Sequence, residues 1–193
     1  MDAMTREEST GKRSPFESFG RGERVRPSDP VYLEILGFLW DEAATLDQDD
    51  LTEWLSLLDE DITYIMPVRV TRKRGTGSEF DPAMMHFDED IASLRFRVRR
   101  FLETTAWSED PPSRVRRTVT AVRVYRTDAP HEFEVTNSLL LVRTQDDDYR
   151  LDIVTAERRD RVRRYGDDSF KLAQRTILLD QATVSTPNLA IFL

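Results

Sequence analysis

The sequence predicts an α+β domain in which helices come first and a strand meander follows. Apolar residues recur at helical spacing in three runs between Val31 and Leu102, broken by the strand-like run ITYIMPVRV and the loop RKRGTGSEFDP. After Pro112 the apolar period drops to two and holds as far as Leu179. Polar turns, DAPH, QDDD and YGDD, divide that second half into four runs. Segregated helices and consecutive antiparallel strands define the α+β class. A long bent sheet wrapped over the first helix would bury both sets of apolar faces.

Each element has its own signal. Residues 1–28 are rich in Arg, Glu, Ser and Gly without periodicity, so they read as an N-terminal arm or tail outside a single domain of residues 29–193. Phe16 and Phe19 are its candidate pins. In SDPVYLEILGFLWDEAATLDQDD, Asp29 suits the N-cap and Pro30 the first helical position, and Val31, Ile35, Leu36, Leu39, Ala43 and Leu46 follow at helical spacing. A second short helix starts from Asp50 and Glu53 in capping-box spacing, with Trp54, Leu55 and Leu58 on one face. ITYIMPVRV is a strand whose Pro67 predicts an edge or a bulge. RKRGTGSEFDP reads as a basic, Gly-containing loop. DEDIASLRFRVRRFLE reads as a third helix, with Ile91, Leu94, Val98 and either Phe101 or Leu102 inward.

The strands follow. RVRRTVTAVRVYR has Val115, Val119 and Ala121 on one parity and Val122 and Val124 on the other, which predicts a bulge or a strand buried on both faces. Phe133–Arg143, Tyr149–Arg159 and Ser169–Leu179 are the remaining three.

Composition limits the chemistry. The 193 residues are 39% hydrophobic and 33% charged, which fits one soluble globular domain. A run of about 18 apolar residues, which a membrane span requires, is absent from the sequence. The start MDAMTREESTGKR is polar and lacks the apolar core of a signal peptide, so a cytoplasmic location is expected. The formal net charge of -8 opposes nucleic-acid binding, whose phosphates demand a positive field. Among the 28 basic residues only Lys12, Lys73 and Lys171 are lysines. The arginine excess suits either a codon bias or a set of planar, bidentate ion pairs, as at a subunit interface.

There are no cysteines, which removes disulfides, thiol nucleophiles and Cys-ligated metals. Only His86 and His131 are available as imidazoles. His86 and Asp88 in MMHFDED form a His-x-Asp pair, but a two-His-one-carboxylate iron site would also need His131, which lies in a turn. Gly-rich phosphate loops and a Ser nucleophile elbow are absent.

The densest cluster is AWSEDPPSRVRR. Pro111 forces Asp110 to be extended. Pro111 and Pro112 make a stiff spacer that fixes Glu109 and Asp110 near the start of a strand. Arg114 and Arg116 share one strand parity and Arg117 the other. The arrangement predicts a preorganised carboxylate–guanidinium network beside Trp107, at a scaffold or interface, with no nucleophile and no obvious proton shuttle; the alternative is a catalytic Glu109 or Asp110. The apolar ending, with Leu189, Ile191, Phe192 and Leu193, predicts a docked terminal segment.

HFDEDIASLRFRVRR, AWSEDPPSRVRRTVTAVRV, NSLLLVRT, ERRDRVRR and KLAQRTILLDQATVSTPNLAIFL occur in this order. Together they resemble the small (β) subunit of bacterial aromatic-ring-hydroxylating dioxygenases. The likeness runs from about Asp29 to Leu193. DPPSR and the ending Asn188-Leu189-x-x-Phe192-Leu193 are its most specific parts.

The resemblance implies a cone-shaped α+β fold, like nuclear transport factor 2 and scytalone dehydratase, with a strongly bent antiparallel sheet wrapped over N-terminal helices. It implies an α3β3 hexamer with a β trimer at its base, served by a ferredoxin and a reductase. The Rieske [2Fe-2S] cluster and the mononuclear iron would belong to the large α subunit, and this chain would hold no cofactor, metal or catalytic residue. The bare residues agree, since a Rieske centre takes two Cys and two His. On this view Trp107, Glu109, Asp110, Pro111, Pro112, Arg114, Arg116, Asn188, Leu189, Phe192 and Leu193 are interface or structural residues. The rival reading is a stand-alone cone-fold dehydratase or isomerase with a buried pocket of His86 and Asp88, helped by Tyr64. A plain oligomeric binding module is the third.

Overall fold

The computed structural model describes residues 19–73, 75, 77–103, 112–145, 150–167, 169–184, 186 and 191–193. Helix α1 is Pro30–Asp47, and the Asp29 side chain accepts a hydrogen bond from Val31 N at 3.1 Å. Its inward face carries Val31, Ile35, Phe38, Leu39, Ala43 and Leu46, together with one acid, Glu42. Helix α2 is Leu51–Ser56, where Asp50 accepts from Glu53 N at 3.1 Å. Leu58, expected on that helix, instead opens strand β1, Leu58–Arg69.

Strand β2, Phe80–Glu89, lies where the sequence predicts the end of a loop and the lead into a helix. It pairs only with β1, at the edge of the sheet. An edge strand is covered on few sides, so its residues need not alternate cleanly, and the period-two signal is lost. Helix α3 accordingly starts later, as Ile91–Leu102, behind an Asp90–Ser93 capping box. Leu94 and Val98 point inward, Ile91 and Phe101 pack against the core, and Leu102 faces solvent.

Strands β3 (Arg114–Arg126), β4 (Glu132–Thr144), β5 (Asp152–Tyr165) and β6 (Ser169–Leu179) form an antiparallel meander. The six-stranded order is β2-β1-β6-β5-β4-β3, with β1 and β6 the parallel pair. Thus β1 is interior, and Pro67 marks a register shift, not a sheet edge. The parity switch in β3 is also a bulge. Its partners jump from Thr120↔Ser138 to Arg123↔Thr136, and Ala121 takes a φ of 52°.

Strand β5 runs six residues beyond the expected Arg159, to Tyr165. The arginines of ERRDRVRR are therefore strand residues throughout. Arg161 and Arg163 pair with Glu132, Glu134, Asp59 and Asp61, and Arg159 pairs with Glu157. The three helices and the inward strand residues share one apolar core. Among the described residues no helix is long and apolar enough to cross a membrane.

Residues ahead of α1 lie along β3. Val25 N donates to Val124 O at 2.9 Å, Arg126 N donates to Glu23 O at 2.9 Å, and Val25 is buried. Phe19 is half-buried, and Phe16 lies outside the described residues. The close approach depends on Gly22, where an added Cβ would sit 1.8 Å from Arg126 O. Gly22→Ala is expected to loosen this contact and speed hydrogen exchange at the Val25 and Arg126 amides. Unchanged protection would show that the arm is not held there.

Candidate functional site

The interior of the fold contains a charged cluster that the sequence reading does not anticipate. Glu42 from α1, Arg158 and Asp160 from β5 and Arg175 from β6 are all 0% exposed. Arg175 is the hub. Its Nε donates to Asp160 Oδ1 at 2.8 Å, and its Nη2 to Asp160 Oδ2 at 3.1 Å and Glu42 Oε2 at 3.2 Å. Its Nη1 donates to Glu42 Oε1 at 2.7 Å and to Leu193 O at 3.1 Å. All the N–H groups a guanidinium offers are thereby used. A lysine ammonium could not reproduce that planar fork.

Glu42 also accepts from Trp54 Nε1 at 3.0 Å and lies 3.5 Å from Arg158 Nη1. Asn137 on β4 links the two β5 charges. It accepts from Arg158 Nε at 2.8 Å and donates to Asp160 at 3.1 Å. The two acids balance the two guanidiniums, so the cluster is neutral as a unit. That neutrality is what makes burial tolerable, because an unpaired ion would carry its full desolvation cost.

The electrostatics follow the contacts. Burial pushes the Glu42 carboxyl up, but Arg175 and then Arg158 outweigh it and lower the pKa to about 2. Burial lowers the Arg175 pKa, yet Asp160 and Glu42 together raise it well above the usual arginine value. Arg158 moves down, first through burial and then through repulsion from Arg175. Its Nη2 has no hydrogen-bond partner among the described residues.

A second set of contacts closes the cone around Ile191, Phe192 and Leu193. Tyr64 on β1 is fully buried, donates to Leu193 O at 2.8 Å and accepts from Leu193 N at 2.8 Å. Arg117 on β3 forks onto Phe192 O from Nε at 3.2 Å and Nη2 at 2.7 Å, and its Nη1 pairs with Asp47 Oδ1 at 2.7 Å. The Phe192 ring lies 4.3 Å from that of Trp54. The arrangement holds charge still and fills space.

The residues singled out from the sequence scatter by comparison. Pro112 and Arg114 are exposed, and exposed Arg116 reaches Asp47 Oδ2 at 3.3 Å. Phe192 and Leu193 are buried inside the cone. Trp107, Glu109, Asp110, Pro111, Asn188 and Leu189 lie outside the described residues, and so does the expected pairing of Glu109 or Asp110.

The rival His86–Asp88–Tyr64 pocket is not assembled. Asp88 is exposed and His86 is half-buried at a register shift of β2. Tyr64 pairs with Glu89 and Ile65 with Asp88, so Tyr64 and Asp88 project to opposite faces of the sheet. His131 is exposed in the turn before β4. Among the described residues no group of three His, Cys, Asp or Glu side chains is placed to hold a metal ion.

The buried cluster left one signal in the sequence. Glu42 stands at the helical spacing of Ile35, Leu39 and Leu46, in the middle of an apolar face. Arg158 and Asp160 share strand parity with Val154, Ala156 and Val162.

A helical layer closed over a bent sheet defines a cone-shaped α+β domain. A scytalone-dehydratase-type protein of Novosphingobium aromaticivorans shares this fold, with a TM-score of 0.57 at 12% identity over 82% of this chain and 89% of that one. A naphthalene 1,2-dioxygenase solved with indole in its active site aligns with a TM-score of 0.74 at 23% identity, over 83% and 84% of the two chains. Residues 41–186 match the family described as the ring hydroxylating beta subunit, and the chain belongs to that family. It is 39% identical over 171 residues to the biphenyl 2,3-dioxygenase subunit beta of Rhodococcus jostii strain RHA1, covering 86% of this chain and 91% of the relative.

Proposed function

We propose that this chain is the structural, non-catalytic β subunit of an aromatic-ring-hydroxylating dioxygenase, a multicomponent oxidoreductase that adds O2 to an aromatic hydrocarbon to give a cis-dihydrodiol. It pairs with a large α subunit in a hetero-oligomer of α3β3 form, in which its own copies make a trimer. The α subunit holds the Rieske cluster and the mononuclear iron, a ferredoxin and a reductase supply electrons, and the complex is cytoplasmic. Trp107–Arg116 and the segment after Asn188 serve in this assembly as scaffold and interface elements.

The observation that carries this reading is the absence of cysteine from a chain of this family. A Rieske centre takes two Cys and two His, so the redox ligands must come from another subunit. The charged interior supports it as well, because the groups that could act as acid or base are already bonded to one another. Affinity purification of this chain from its native host is expected to bring down an iron–sulfur protein of roughly twice its mass. The chain purified alone is expected to carry no stoichiometric iron and to turn over no aromatic compound. Tightly bound iron in the isolated chain would overturn the reading.

A further inference from the structure

The segment Ile191–Leu193 is held by side chains of the surrounding elements. Its main-chain oxygens and the Leu193 N–H are bonded by side chains from four separate elements. Arg97 on α3 donates to Ile191 O at 3.4 Å, Arg117 on β3 grips Phe192 O, and Tyr64 on β1 and Arg175 on β6 share Leu193. Among the described residues these three residues make no main-chain to main-chain hydrogen bond. The Phe192 side chain is also specifically received. Its ring lies against Trp54 at 4.3 Å, under the Arg97 guanidinium at 4.5 Å and near Phe101 at 5.9 Å.

A strand or helix in a core is held by its own ladder. A segment held by a few convergent polar side chains and an aromatic slot is held as a pocket holds a ligand. The donors also match the segment's chemistry, with carbonyl oxygens meeting guanidiniums and an amide meeting a phenol oxygen.

We propose that the cone interior is a peptide-recognition site, that Ile191–Leu193 is its resident ligand, and that the site accepts in trans a short peptide with an aromatic residue followed by an aliphatic one. The proposal rests on these contacts and not on the dioxygenase assignment. Because the resident segment is tethered, its effective concentration is in the millimolar range or above. Wild-type protein therefore resists a competing peptide, and weakening the resident's hold opens the site.

The test uses the full chain with a fluorescently labelled peptide of residues 186–193, TPNLAIFL, followed by anisotropy. Phe192→Ala, which vacates the aromatic slot, is expected to bind this peptide at least tenfold more tightly than wild type. The same peptide with its Phe replaced by Ala is expected to lose that gain. Ile191→Ala weakens the resident's burial while leaving the site's own donors intact, and is expected to move affinity in the same direction if Phe192→Ala fails to fold. Equal affinity for wild type and the folded variants would overturn the proposal as nonspecific sticking. No binding to a folded variant would overturn it as well.

Discussion

Glu42→Ala is expected to destabilise the fold by roughly 3–5 kcal/mol, the usual consequence of removing one member of a buried ion pair. Glu42 is fully buried and is the acid shared by Arg175 and Arg158. Its loss leaves two guanidiniums facing Asp160 alone and deprives Trp54 Nε1 of its acceptor. Glu42→Gln keeps the volume and one acceptor oxygen but not the charge, so it should recover only part of the loss. Urea unfolding of the three proteins at neutral pH checks this, and a difference below about 1 kcal/mol, as for a surface pair, would refute it.

The same residue predicts an acid dependence. Its folded pKa, about 2, lies below its ordinary value of 4.5. The stabilisation is therefore complete above pH 4.5 and is lost as pH falls toward 2. The displacement corresponds to about 3 kcal/mol at neutral pH. Wild type should lose this amount across that window, and Glu42→Gln should lack the corresponding component. Parallel curves for both proteins between pH 5 and pH 2 would show that Glu42 is not the titrating group.

Phe192→Ala is expected to cost roughly 3–5 kcal/mol, the range for truncating a buried aromatic ring. Phe192 is only 2% exposed and packs between Trp54, Phe101 and Arg97. Thermal unfolding reads the effect, and an unchanged melting temperature would mean that the end of the chain is not docked as described. Trp54 touches both Phe192 and Glu42, so the two substitutions share a partner. Their combined effect should fall short of the sum of the single effects, because neighbours with a common contact do not act independently.

How much of this was legible depends on how local each signal is. Helix α1 begins at Pro30 because Asp29 and Pro30 are adjacent in the chain, and β3 spans Arg114–Arg126 as its alternation indicates. The bulge at Ala121 was readable from a change of parity. Strand β2 was not readable, because an edge strand with half-exposed residues and a proline obeys no clean period. The rival pocket failed for a similar reason. Residue types suggested His86, Asp88 and Tyr64, but register decided that Tyr64 and Asp88 face opposite ways.

The sequence by itself determined the α+β class, the helix caps, the family and the absence of cysteine ligands. Each of these is written in neighbouring residues, in a short period or in an ordered set of motifs. Only the tertiary structure decided that Glu42, Arg158, Asp160 and Arg175 form one neutral cluster, and that it meets Leu193. Those residues lie on three elements separated by as many as 133 positions, with their partner Leu193 beyond. A lone charge on an apolar face reads as an anomaly in the sequence. It becomes a stable arrangement only when the sheet bends to bring opposite charges within hydrogen-bonding distance in the buried interior.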